Sequence, residues 1–523
     1  MKKLCSIVIM VSAHMIANSQ ITFQRLYSTG IGTLFAEASP TSDGGYIVCG
    51  SAGSSSTDYL VSKLDANGQI QWAKHVGSWM GNETAVKIEQ SVTGGYYLFG
   101  STTSRSLNGE MNLISFDISG NILWNKTYSG GGSSNIFNPS CRQNSSGEFI
   151  LSATVSEMGM YFLMIKTDAS GNMIWSKAYG EDSGGSKEEC YDVELCDDGG
   201  FIVVGDGEDT GMYAVKTDAS GNMVWAKKYS TATFDYTPGF AISKTSDGGD
   251  IILGMTYDSA YSQMIMLTKI DASGNVIWSK KYANNENNGS SSYSIVETAD
   301  NGFALLSTSI GSYPELLKVN SSGQFLWSKH YSLASNTING YNALKNTADG
   351  GFILTNTEYD PVSHPYYCGY LIKTDPSGNT GCNDTSGDSM TVISVTLNEV
   401  AMSASVPYGT SNTISFLSED IVFNASSNCS ANVGIFDPTE TNTDISIYPN
   451  PFSNSANLHI TTNSYSPAEY HFEMYDLVGR KIKEVLFSDK QLEIRRENLP
   501  IGIYIWKVSQ GTSIVGKGKL VIE

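Results

Sequence analysis

The 523-residue chain has little basic charge, little histidine and, beyond its first twenty positions, no long apolar run. Its 32 Lys and Arg face 52 Asp and Glu, for a formal net charge of −20. That balance argues against nucleic acid or an anionic membrane as the main partner, because both demand a basic face. No later segment approaches the roughly 18 apolar residues of a membrane helix, so the mature chain should have no transmembrane segment. With 6 His in all, no cluster of His, Cys and carboxylates has the spacing of a zinc site. No Gly-x-Ser-x-Gly elbow occurs with His and Asp partners. Helix-period stripes are equally hard to find. What is abundant is Gly, at 52, and Tyr, at 29, with only 13 Pro. That composition suits many short strands joined by tight turns.

The N-terminus reads as a signal peptide over residues 1–19. Lys2 and Lys3 precede an apolar run from Leu4 to Val11, and Ala17-Asn18-Ser19 stands before Gln20. Sec-type export to the periplasm is the expectation. Cys5 sits too early in the apolar stretch to anchor a lipid. Seven cysteines remain after cleavage, an odd number that leaves at least one thiol unpaired in a monomer. Cys190 with Cys196 and Cys382 with Cys429 are the candidate bridges, and Cys49, Cys141 and Cys368 read as small strand hydrophobes.

One signature recurs along the chain. Asp65-Ala66-Asn67-Gly68 precedes Trp72, and equivalent turns precede Trp124, Trp175, Trp225, Trp278 and Trp327, with successive tryptophans 49 to 53 residues apart. A second signature interleaves with it in seven copies, from Asp43-Gly44-Gly45-Tyr46 and Thr93-Gly94-Gly95-Tyr96 to Asp349-Gly350-Gly351-Phe352. Asp can accept hydrogen bonds from the backbone ahead of it and Gly takes the left-handed conformation, so each signature is a hairpin turn. The spacing predicts one four-stranded propeller blade per repeat, with the Gly-Gly turn joining strands A and B and the Asp-x-x-Gly turn joining C and D.

The seventh repeat reaches Asp375-Pro376-Ser377-Gly378 and then loses its Trp strand. Residues Ile21 to Tyr27 match Ile70 to Val76, with Phe23 in the Trp slot, and supply the missing strand. The expected fold is therefore all-β: a seven-bladed β-propeller over residues 20–382, closed by its N-terminal strand. Closure removes an open edge that would invite aggregation.

The Asp-x-x-Gly-x-x-x-Trp repeat resembles the tryptophan-docking motif of quinoprotein dehydrogenases and their non-catalytic propeller relatives, with one residue fewer between Asp and Gly. The resemblance implies architecture, with each Trp packing between neighbouring blades. A quinone cofactor would need a vicinal cysteine pair and a calcium-binding acidic cluster. Neither is found, and no cofactor is expected. Asp-Ala-Ser-Gly-Asn is too short to be an EF-hand loop. Asp206, Glu208 and Asp209 lie in a Gly-rich loop and are a candidate cation site, with solvated loop charges as the plainer reading. His75 and His330 read as exposed D-strand residues.

Antiparallel topology puts the A–B and C–D turns on one rim and the longer, variable B–C and D–A loops on the other. Aromatic residues gather in or near those loops. Trp79, Tyr257, Tyr261, Tyr359, Tyr366 and Tyr367 are the candidate ligand-binding residues, with Phe234, Tyr236 and Tyr313 nearby. Exposed aromatics on a rigid scaffold suit stacking on sugar rings or anchoring a protein. Capping of the blade cores is the alternative. No catalytic residue stands out, although blade loops could bring two carboxylates together for glycoside hydrolysis.

After Cys382 the repeat vanishes, and residues 383–444 read as a Ser-, Thr- and Asn-rich β-type linker. From 445 to 523 four motifs follow in order. These are Tyr448-Pro449-Asn450-Pro451, then Tyr475-Asp476-Leu477-Val478-Gly479-Arg480, then Leu499-Pro500-Ile501-Gly502-Ile503-Tyr504, and finally Gly516-Lys517-Gly518-Lys519-Leu520. The series closely resembles the type A C-terminal sorting domain of the bacterial type IX secretion system. The resemblance implies a small β-sandwich recognised by the outer-membrane translocon, and cargo that is released or attached to the cell surface. The propeller pattern over Ile21 to Cys382 also resembles secreted propeller proteins that carry that domain. The expected function is a secreted or cell-surface binding module for a glycan or protein ligand, acting through the B–C/D–A loop face. The alternative is an extracellular polysaccharide-cleaving enzyme using loop carboxylates.

Overall fold

A computed structural model describes residues 20–522 apart from short stretches, among them 54–56, 78–80, 181–187, 208–210, 232–235, 258–262, 284–289, 310–313, 332–336, 339–342, 360–365 and 433–442. Residues 1–19, with the expected signal peptide, lie outside the described residues. Among the described residues there is no helix, and every regular element is a β-strand. The chain divides into two compact units, residues 1–433 and 434–523.

The first unit is propeller-like, a series of antiparallel sheets with a four-strand repeat. In sheet 1 the strands run A Thr33–Pro40, B Tyr46–Ala52, C Asp58–Leu64 and D Ile70–Gly77, each paired with the next. The order repeats in sheets 2 to 6, whose A strands are Glu83–Gln90, Asn135–Gln143, Glu189–Leu195, Gly239–Lys244 and Ser290–Glu297. Sheet 7 differs. Leu344–Asn346, Phe352–Tyr359 and Tyr367–Thr374 hold positions A to C, and Ile21–Ser28 pairs antiparallel with Tyr367–Thr374, Phe23 opposite Lys373 and Tyr27 opposite Gly369.

Turn chemistry holds each hairpin. In the A–B turn of sheet 1, Asp43 Oδ1 accepts from the Gly45 amide at 3.0 Å and from Thr41 Oγ1 at 2.5 Å. Lys63 Nζ on strand C, its side chain 3 % exposed, lies 2.9 Å from Asp43 Oδ2. The same strand-C lysine recurs as Lys166–Glu148, Lys216–Asp198, Lys269–Asp247, Lys318–Asp300 and Lys373–Asp349, at 2.8 to 3.0 Å. Sheet 2 lacks both partners together, with Ser115 at the lysine position and Thr93 at the aspartate. Each lysine therefore comes with the acid that offsets its burial.

The tryptophans join successive sheets. A Cβ placed on Gly120 of the C–D turn in sheet 2, at φ +78°, would lie 2.8 Å from the Trp72 ring of sheet 1. Trp124 stands in the same relation to Gly171, Trp175 to Gly221, Trp225 to Gly274, Trp278 to Gly323 and Trp327 to Gly378. Glycine is required twice over, by the left-handed backbone and by the ring lying on it. Four residues after five of these tryptophans, and four after Phe23, a buried Tyr donates to the carbonyl of the same glycine. Tyr128 to Gly171 and Tyr179 to Gly221 are examples, at 2.6 and 2.7 Å.

Within the stretch 383–444 read as a β-type linker, residues 384–432 supply an outermost strand to each of the seven sheets of the first unit. Asp384–Ser386 pairs with strand D of sheet 6, Thr391–Ser394 with sheet 5, Asn398–Ala401 with sheet 4 and Ser405–Pro407 with sheet 3. Thr410–Thr413 follows on sheet 2, Leu417–Asp420 on sheet 1, and Asn424–Asn432 on Ile21–Ser28 of sheet 7. The segment runs back through the sheets in reverse order and covers their outer edges, which would otherwise offer unpaired backbone groups.

The cysteine expectations divide. Cys382 is disulfide-bonded. Cys190 and Cys196 are both thiols, so the proposed bridge between them is corrected. The reason is geometric. Six residues of extended strand separate them by about 20 Å, far beyond the roughly 7 Å limit between bridged Cα atoms. Cys49, Cys141 and Cys368 are buried strand residues. The histidines also differ from expectation: His75 is half-buried, and the half-buried His330 Nε2 lies 3.3 Å from Glu315 Oε1, whose side chain is 3 % exposed.

The second unit holds two sheets. Thr443–Tyr448, Ser455–Thr462 and Gln491–Arg495 form one, and Lys481–Phe487, Tyr470–Tyr475, Gly502–Gln510 and Ser513–Ile522 the other. Their buried faces share one core that includes Leu458, Ile460, Phe472, Trp506 and Leu520.

Candidate functional site

The A strands of all seven sheets line a cavity of about 790 Å³. Counting back from each A–B turn, the second and fourth residues fall on the same strand face, as the period of two requires. The fourth residues back include Glu37, Lys87, Ser140, Asp192, Ala241 and Ser294. The second residues back include Glu89, Arg142, Glu194, Ser243, Val296 and Lys345. All twelve line the cavity.

A bulge interrupts the A strands just beyond these tiers, at Phe35/Glu37, Ala85/Lys87, Phe137/Ser140, Cys190/Asp192 and Gly239/Ala241. The extra residue breaks the alternation, so a neighbour that would point away also faces the cavity. Ala36, Val86, Pro139, Tyr191 and Phe240 reach it in this way. Tyr191 and Phe240 meet edge to face, ring centroids 5.1 Å apart. Asn138, in the same bulge of sheet 3, has φ +50°, a left-handed conformation that Asn tolerates better than most residues.

The cavity wall is polarised. Sheets 7 and 1 to 4 carry its charges, whereas sheets 5 and 6 present Phe240, Ala241, Ser243, Ser294 and Val296. Lys345 Nζ bridges Glu37 and Glu89 at 2.9 and 2.7 Å, and Lys87 reaches Glu89 at 3.3 Å. Arg142 pairs with Asp192 at 3.2 Å and Glu194 at 3.1 Å. Backbone and side-chain bonds fix the acids: Ile88 N donates to Glu37, Tyr97 Oη to Glu89, and both Ser140 Oγ and Ile242 N to Asp192. Burial, followed by the nearby Arg142, lowers the Lys87 pKa. Burial works against ionisation of Glu89, but Lys345 and Lys87 outweigh it and hold the carboxyl well below its usual range. Asp192 and Glu194 likewise overcome burial to raise Arg142.

Beside Tyr191 lies a second polar group. Tyr191 Oη donates to Glu189 at 2.8 Å, and Tyr236 Oη donates to Asp206 at 2.5 Å. Burial pushes the Asp206 carboxyl up to about 6. Tyr236 also stacks on Tyr257, centroids 6.4 Å apart.

Of the sequence-derived candidates, Asp206 is buried and bonded to Tyr236, while Glu208 and Asp209 lie outside the described residues. Tyr257 joins the Tyr236 group. Tyr359 and Tyr367 contact each other at 5.2 Å on sheet 7, and Tyr366 and Tyr367 are 44 % and 42 % exposed. Trp79 and Tyr261, with Phe234 and Tyr313, lie outside the described residues. Sequence reasoning missed the cavity residues. The signal was the position four before each A–B turn, where Glu37, Lys87 and Asp192 interrupt otherwise apolar or hydroxyl positions.

In the second unit the motif residues form turn and strand contacts. Asn450 Nδ2 donates to the Lys519 carbonyl and its Oδ1 accepts from the Val521 amide, both at 2.8 Å. Asp476 accepts from the Arg480 amide and guanidinium at 2.9 and 2.7 Å, and Tyr504 Oη donates to the Pro500 carbonyl at 2.9 Å. Gly502 pairs with Ile522, Gly516 with Val508 and Lys517 with Lys507. Pro451 follows Asn450 through a cis bond, and Pro449 and Gly479 lie outside the described residues. His471, Glu473 and Glu484 bring possible ligand atoms within 4.8 Å of one another, but Lys481 and Lys507 already pair with the acids.

No curated protein matches the chain. Among solved structures, a protein of unknown function from Bacteroides caccae is 10 % identical, with 57 % of this chain and 93 % of that one covered, at a TM-score of 0.35. A protein of unknown function from Dyadobacter fermentans is 12 % identical over 49 % of this chain and 82 % of its own, also at 0.35. The extracellular domain of a one-component system from B. thetaiotaomicron is 12 % identical over 94 % and 81 %, at 0.19. Residues 446–523 match the secretion system C-terminal sorting domain family. The C-terminal unit is thus a type IX secretion sorting domain, and the chain is secreted or attached at the outer-membrane surface.

Proposed function

We propose that the first unit is a seven-bladed β-propeller closed by Ile21–Ser28, and that the protein is an extracellular binding module for a glycan or protein ligand, engaged through the B–C/D–A loop face. The second unit, read as a β-sandwich, directs export by contact with the type IX machinery. The observation that carries the binding reading is the meeting of Tyr191 and Phe240 with the charged tiers in one cavity lined by all seven A strands. Rigid strands hold these groups, while the loops beyond them vary, an arrangement suited to recognition.

Glycan-array binding and pull-down with the mature chain test the reading. Alanine at Trp79, Tyr366 and Tyr367 should weaken capture, and binding indifferent to all three would count against the loop face. A second reading, hydrolysis of a polysaccharide, draws on Asp206, a buried carboxyl raised to about 6 beside a tyrosine, as a general acid would need. Release of reducing ends by the mature chain, abolished in Asp206→Asn, would favour it over binding alone.

A further inference from the structure

The cavity combines three features that narrow its ligand. Its volume, 790 Å³, falls within the roughly 300 to 1,000 Å³ of small-molecule sites. One side presents Phe240 and Tyr191, apolar faces with a tyrosine hydroxyl at the edge. The other presents donors and acceptors, of which Arg142, Asp192 and Glu194 are each held by more than one bond within the protein. Among the described residues Arg142 uses Nε, Nη1 and Nη2 once each, which leaves two of its five N–H groups for a ligand.

Charge completes the argument. Glu37, Glu89, Asp192 and Glu194 slightly outnumber Lys87, Arg142 and Lys345, and each cation already has an acid within 3.3 Å. A polyanion would meet net repulsion, and no unbalanced cation awaits it. A polyhydroxylated neutral ring fits both walls. Its C–H face packs on the aromatic pair, and its hydroxyls donate to carboxylates while accepting from Arg142 or Asn138. Because the polar groups are held before binding, little side-chain entropy is lost on association.

We infer that the cavity takes the end of a neutral oligosaccharide, one pyranose ring packed against Phe240 and Tyr191 and its hydroxyls bonded to Arg142 and to Glu194, whose two oxygens each accept one bond from the protein and so have room for another. This rests on the binding-module reading above and specifies its ligand class.

The test is calorimetric titration of the mature chain with soluble gluco-, manno-, xylo- and chito-oligosaccharides of about three to four rings, with oligogalacturonate as the charged contrast. At least one neutral series should bind, with a Kd that changes less than about twofold between about 50 and about 500 mM salt, because no net charge is exchanged. Oligogalacturonate should not bind. Phe240→Ala and Tyr191→Ala should each weaken binding about tenfold or more. Phe240→Leu keeps apolar volume without the ring and gives the same result if alanine unfolds the protein. Binding unaltered in Phe240→Leu but lost in Tyr366→Ala with Tyr367→Ala would overturn the cavity assignment and leave the loop-face reading standing. Tighter binding of oligogalacturonate than of any neutral series, or no binding of any neutral series, would overturn the ligand class. Absence of both oligosaccharide and protein capture would overturn the binding-module reading itself.

Discussion

Tyr27 Oη donates to the Gly68 carbonyl at 2.6 Å, although the tyrosine belongs to the N-terminal strand on sheet 7 and the glycine to the C–D turn of sheet 1. The relation is the one that links Tyr128 to Gly171 between sheets 2 and 3. Tyr27→Phe removes one buried hydrogen bond and should lower stability by about 1 kcal/mol. Gly68→Ala should cost more, since the backbone there is at φ +74° and the new Cβ would meet Phe23 at 2.9 Å. Denaturant unfolding at neutral pH measures both. Equal stabilities in the two variants and the parent would mean that this junction contributes nothing.

Asp250 departs from its repeat. Six sheets open strand B with Tyr46, Tyr96, Phe149, Phe201, Phe303 or Phe352, and four of these rings lie about 6 Å from the Trp of the preceding sheet, as Trp175 does from Phe201. In sheet 5 the position is a buried carboxyl, pushed up to about 7 by burial and then by Glu194. A raised carboxyl contributes stability below its unfolded pKa, near 4, and loses that contribution as pH rises through about 7. Asp250→Phe should therefore stabilise the protein by about 2 to 4 kcal/mol at pH 8, and by less at pH 5. A gap that shrinks with rising pH would contradict the assignment.

The turn acids have the opposite sign. Burial works against ionisation of Asp43, Asp247 and Asp300, but their hydrogen bonds from Thr and from strand-C Lys prevail and bring each to about 2. A depressed carboxyl contributes stability above its unfolded pKa, near 4, and loses it as pH falls through about 2. The melting temperature should fall below pH 4, and Asp43→Asn should flatten part of that fall. An acid limb identical in parent and variant would show that Asp43 does not contribute to it.

The outer strands make a prediction about chain length. A chain ending at Val433 keeps every strand of the first unit, so it should melt as that unit does in the parent but fail to leave the cell. One ending at Cys382 exposes the outer edges of all seven sheets, Ile21–Ser28 of sheet 7 included, and should aggregate or melt at least about 10 °C lower. Matching melts for the two truncations would remove any stabilising role for residues 384–432.

Much of this was legible in the sequence because its carriers are glycine, aspartate and tryptophan at fixed spacing. Asp117-Ile118-Ser119-Gly120 specifies a turn through its own hydrogen bonds, and Trp124 follows at constant distance. The sorting motifs were legible for the same reason. The cavity was not. A bulge reverses strand parity, so Tyr191 and Asp192 are adjacent in sequence yet face the same space. The ion pairs were hidden by distance, since Lys63 and Asp43 are twenty residues apart. The outer strands are mostly three or four residues long, such as Ser405–Pro407, too short to show alternation.

Calorimetry of the mature chain against a version lacking Ile21–Ser28 tests the central claim, that this strand closes a seven-bladed ring around the candidate site. Closure predicts loss of the first unit's cooperative transition, or a drop of at least about 10 °C, with the transition of residues 434–523 retained. An unchanged transition for the first unit would contradict it.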